Sequence, residues 1–73
     1  MVSDKAFAKE VVQLVLDCAG RLDETGLRAK EVLSETEFLA YRKAIGEVLG
    51  AAWDELPMPI YASHPDLKPK DLQ

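Results

Sequence analysis

The chain reads as an all-α protein: an antiparallel helical hairpin with an extended Pro-rich C-terminal arm, pairing into a dimeric four-helix bundle. Three observations predict this. Apolar residues recur in alternating steps of four and three from Ala8 to Leu33, the period of a helix lying along another helix. The segment "SETE", residues 34–37, has the form of a capping box that starts a second helix. All 4 prolines stand at or after residue 57, so none interrupts either helix before that point.

The first helix is expected over about residues 4–33. Its seam is Ala8, Val12, Val15, Ala19, Leu22, Gly26, Ala29 and Leu33, and Phe7, Val11, Cys18 and Val32 widen it on one side. Ser3 is placed to cap the start, with Asp4 where a negative charge suits a helix N-terminus. The stretch "GRLDETGL", residues 20–27, carries two glycines and admits a turn near Thr25, since each glycine costs about 1 kcal/mol in a helix. A turn would reset the apolar phase, yet the seam passes through Gly26 in step. Asp17 with Arg21 and Glu24 with Arg28 also stand four apart with the acid first, the order that favours helix pairs. A continuous helix is therefore expected.

The second helix is expected over about residues 35–56. Ser34 and Glu37 cap it reciprocally, Leu33 and Phe38 form a hydrophobic staple, and Pro57 ends it. So short a link makes the two helices antiparallel. With the turn at Ser34, Ala19 falls opposite Gly50 and Ala29 opposite Ala40, so that Gly46 and Gly50 let the backbones approach closely. Phe38, Tyr41, Ile45, Val48, Leu49, Trp53 and Leu56 cover more of this helix than one neighbour can bury. A two-helix hairpin has no interior of its own, so these residues predict a homodimer interface, or a face kept for another protein.

The tail, residues 57–73, is expected to extend. The first helix is about nine residues longer than the second, or ~13 Å, which four or five residues of polyproline path would span. Ile60 and Tyr61 then arrive over Phe7, Ala8 and Val11, with Leu67 as a further anchor. Residues 1–73 thus form a single domain, and one this short buries only about 60% of its unfolded surface. Extra stabilisation from self-association follows.

The function classes narrow by composition. Net charge is −4, which argues against nucleic acid or an anionic membrane as partner. No stretch reaches the ~20 apolar residues of a membrane span, and the opening "MVSDKAFAKE" does not read as a secretory signal. A cytoplasmic protein is expected. The lone Cys18 excludes an internal disulfide and a multi-cysteine metal site and reads as a small buried apolar residue.

No motif specifies a reaction. A di-iron bundle needs Glu-x-x-His pairs, a phosphate loop needs its glycines, and neither pattern occurs. His64 lacks the company a zinc site requires and reads as a turn residue or a contact in partner recognition. Neither a metal nor a cofactor is expected. The alternative is cationic: Arg21, Arg28, Arg42 and Lys43 could hold a small dicarboxylate, in the manner of a chorismate mutase, although nearby acids make them a solvated face more simply. The tail "IYASHPDLKP" and the helix "FLAYRKAIGEVLG" resemble parts of small uncharacterised bacterial helical proteins that end in Tyr-x-x-His-Pro-Asp-Leu-Lys-Pro. That resemblance implies a stand-alone helical protein and no activity. The expected function is a non-enzymatic homodimer acting in protein–protein interaction or as an accessory subunit.

Overall fold

A computed structural model describes residues 2–68. The described chain is all-α and hairpin-like: α1 spans Lys5–Val32, α2 spans Glu35–Glu55, α3 spans Pro57–Ser63, and a 3₁₀ turn spans Pro65–Leu67. The body measures 45 × 21 × 15 Å. Since a helix with its side chains is about 10–12 Å across, the shortest dimension corresponds to one helical layer.

The α1 helix runs through Gly20 and Gly26 without a break. Every residue of its seam from Ala8 to Leu33 is buried or half-buried, whereas Phe7, Cys18 and Val32, on the adjacent line, are exposed. Cys18 is therefore exposed rather than a core residue, because no element among the described residues covers that line. The start is capped by Asp4 rather than Ser3: the Asp4 carboxylate accepts from the Phe7 N–H at 2.8 Å. A carboxylate there both satisfies an orphan donor and meets the positive end of the helix dipole.

Leu33 and Ser34 link α1 to α2. The Glu37 N–H donates to Ser34 Oγ at 3.2 Å, and the Ser34 N–H donates to Glu37 Oε1 at 3.4 Å. This is the reciprocal box. The glycines of α2 do not bring the backbones together, contrary to the sequence reading: a Cβ added at Gly46 or Gly50 would meet nothing within 4 Å. Ala40 and Gly50 are exposed, so they do not face Ala29 and Ala19. Larger side chains, Leu22, Ile45 and Leu49 among them, are instead the half-buried ones along the two helices.

The tail after α2 is not extended; it folds as α3. Pro57 and Pro59 occupy the first and third positions of that helix, where the missing N–H groups would have had no intrahelical partner. Two prolines so placed permit a helix that the same residues would break in its interior. The chain turns at Leu56 (φ −116°, ψ −69°), where Pro57 cannot donate back to Trp53. The 3₁₀ turn follows, with the Leu67 N–H donating to the His64 carbonyl at 3.0 Å. Residues 69–73 of the tail, including Pro69 of the resemblance, lie outside the described residues.

This reversal builds the core at one end of the hairpin. Ile60 (0% exposed) and Tyr61 pack on Ala8 and Val12, with Val2, Val11, Trp53 and Leu67 around them. Phe7 stays outside the cluster and 54% exposed. The Trp53 and Tyr61 rings meet edge to face, 5.8 Å apart at 66°, a favoured aromatic geometry.

Candidate functional site

The hairpin has two broad sides, and heptad spacing assigns residues to each. One side brings Thr25, Arg28 and Val32 of α1 to Tyr41 of α2. Seven residues, or two turns, carry this side from Thr25 back to Cys18 and from Tyr41 on to Val48. Leu14, two turns before Arg21, belongs to it as well. Leu14 is 61% exposed and Val48 56%. The opposite side holds a shallow groove of about 300 Å³ lined by Asp23, Gly26, Leu27, Lys30, Phe38, Arg42 and Ile45.

The seven positions expected at an interface, six in α2 and Leu56 at its C-terminal cap, are divided between half-buried and exposed. Phe38, Tyr41, Ile45, Leu49, Trp53 and Leu56 are half-buried, and Val48 is exposed. None of the residues of α2 is fully buried. Leu14, Leu16 and Leu27, which lie outside the seam of α1, are also exposed. Leu14 had a signal: it completes the four-three line Phe7, Val11, Leu14, Cys18 that runs beside the seam.

The cations do not converge. Arg28 lies beside Thr25 and Tyr41, whereas Arg42 lies across the hairpin beside Asp23 and Lys30. Arg21 and Lys43 are exposed, and Asp17 accepts from Gln13 Nε2 at 3.1 Å. A dicarboxylate pocket needs these groups around one cavity, and the hairpin places them on two sides.

His64 is half-buried and ties the segment after α3 to the start of the described residues: its Nε2 lies 2.7 Å from the Val2 carbonyl oxygen. A carbonyl only accepts, so Nε2 carries the hydrogen and donates. Beside it, Lys5 and Asp66 form an exposed ion pair. The hydrogen bond from Lys5 holds the Asp66 carboxyl below its usual range. Together with the Val2 and Leu67 side chains, these contacts clasp the start of α1 to the 3₁₀ turn.

Among the described residues no group of three or more His, Cys, Asp or Glu side chains could hold a metal ion, and no helix is long and apolar enough to cross a membrane. No protein-family model matches the chain, and no curated protein or solved structure matches it at a significant level.

Proposed function

We propose that this chain works by association: it is a non-enzymatic helical subunit that pairs with itself into a four-helix bundle and serves as a cytoplasmic accessory or regulatory component for another protein. The observation that carries the reading is the unfinished burial of α2, which has no fully buried residue while the hairpin is one helical layer thick. A helix that is apolar around more than half its circumference and touches one layer leaves a face for a second. Leu14 and Val48 on one side of the hairpin, and Leu27 and Leu39 on the other, are exposed apolar residues left uncovered by the single chain.

The solution mass tests this directly. Light scattering and sedimentation across micromolar concentrations should return twice the chain's 8.1 kDa. A single-chain mass that persists to high concentration rejects self-pairing.

A further inference from the structure

We propose that the second copy seats antiparallel on the side of the hairpin carrying Leu14, Cys18 and Val48, with α1 lying along the partner's α1. This inference rests on the self-association proposed above and names its surface and register.

The exposed area matches such a partner. The chain exposes 5562 Å², against roughly 4,500 Å² expected of a compact monomer of this mass. The difference, about 1,000 Å², is near the ~800 Å² that each partner contributes to a standard interface. The radius of gyration points the same way, at 14.9 Å where a compact chain of this length would give about 11 Å.

Charge selects the side. Asp23, Lys30 and Arg42 line the opposite groove, and covering them would desolvate three ionic groups. The chosen side holds Leu14, Cys18, Ala44 and Val48 between its edges; its ionic groups on α1 fall along the outer edge, and on α2 Glu37 and Glu55, two turns from Ala44 and Val48, lie toward its two ends. Along that edge of α1 run Glu10, Asp17, Arg21 and Arg28, two acids and then two bases, with Glu24 further round the helix from Arg28. Reversed about a twofold axis near the middle of α1, that edge becomes complementary to itself. Glu10 meets the partner's Arg28, and Asp17 meets the partner's Arg21. Phe7 then falls within one residue of the position opposite the partner's Val32, so the apolar ends also come together. A twofold pairing closes on itself and makes each contact twice.

The test uses the full chain at tens of micromolar, with mass from light scattering and helix content from circular dichroism. Val48→Glu and Leu14→Glu should each return the single-chain mass with helix content unchanged, since both positions are exposed in the folded hairpin. Leu27→Glu, on the groove side and 72% exposed, should remain dimeric. Arg21→Glu should raise the dimer Kd by roughly tenfold, and adding Asp17→Arg should restore it. If the unsubstituted protein is monomeric, self-association and this interface both fail. Should it be dimeric but lose its dimer to Leu27→Glu, or keep it with Val48→Glu, the surface named here is wrong while self-pairing stands. Failure of Asp17→Arg to rescue Arg21→Glu overturns the antiparallel register. If substituted chains lose helix content, cross-linking unsubstituted chains through Cys18 with a short bis-maleimide decides instead: covalent dimer supports the surface, and its absence from a dimeric sample rejects it.

Discussion

The hydroxyls of Thr25 and Tyr41 lie 2.6 Å apart and fix the middle of the hairpin. Thr25 Oγ1 also stands 2.6 Å from the Leu22 carbonyl. Because that carbonyl can only accept, the Thr25 proton points to it, and Tyr41 must donate to Thr25. The result is a directed chain from α2 through Thr25 into the backbone of α1.

Removing either end should cost stability by a similar amount. Tyr41→Phe and Thr25→Val are each expected to lose about 1 kcal/mol, a Tm drop of roughly 4–8 °C for a domain of this size. The double variant should lose less than the sum. Additive losses in a double-mutant cycle would mean that the hydroxyls do not interact.

The open surroundings of Gly46 and Gly50 make a prediction opposite to the usual one for helix glycines in a joint. Gly46→Ala and Gly50→Ala should each stabilise the protein by about 1 kcal/mol, and neither should alter the solution mass. A lower Tm, or loss of a dimer, would show that a second chain approaches the backbone at those positions.

Ile60 is fully buried although it stands in the proline-flanked tail. Ile60→Ala is expected to cost about 2–4 kcal/mol, a large part of the stability of so small a domain, whereas Met58→Ala on the exposed side of α3 should cost little. Equal urea midpoints for the two variants would contradict the core described at this end of the molecule.

The Lys5–Asp66 pair gives the acid limb of stability a definite sign. The carboxyl is held low in the folded protein, so its contribution is complete above the carboxyl's unfolded value and is lost as pH falls through the lowered folded value. Asp66→Asn should therefore reduce Tm near neutral pH and have no effect once the pH lies below the folded value. Since both side chains are exposed, salt should shrink the difference. A Tm gap that persists unchanged in strong acid would exclude the ion pair as its cause.

How far the sequence could be read depended on the range of the interaction. The unbroken α1 was legible because the phase of its seam survives Gly20 and Gly26, and the start of α2 was legible because Ser34 and Glu37 cap one another locally. The fold of the tail was not. Pro57 and Pro59 are helix breakers in a chain already helical and helix starters in a chain that has just turned. Only the packing of Ile60 and Tyr61 on Ala8 and Val12 selects between the two. Cys18 misled for a related reason: a four-three line shows that a face is apolar, and the neighbour that covers it must come from elsewhere. Of the proposed interface, the sequence showed apolar residues in excess of what one neighbouring helix covers, and no residue pattern singled out a reaction.

The clasp between the start of α1 and the 3₁₀ turn also sets an order of assembly. The joint of α1 and α2 can close outward from Ser34, each contact shortening the loop for the next. Val2 and His64 must instead meet across nearly the whole described chain, at a larger loop-closure entropy. The amides at the opening of α1 and along α3 should thus exchange with solvent through a partial opening that leaves the Ser34 end intact. The end of the hairpin with the most complete burial is then the last to assemble and the first to open.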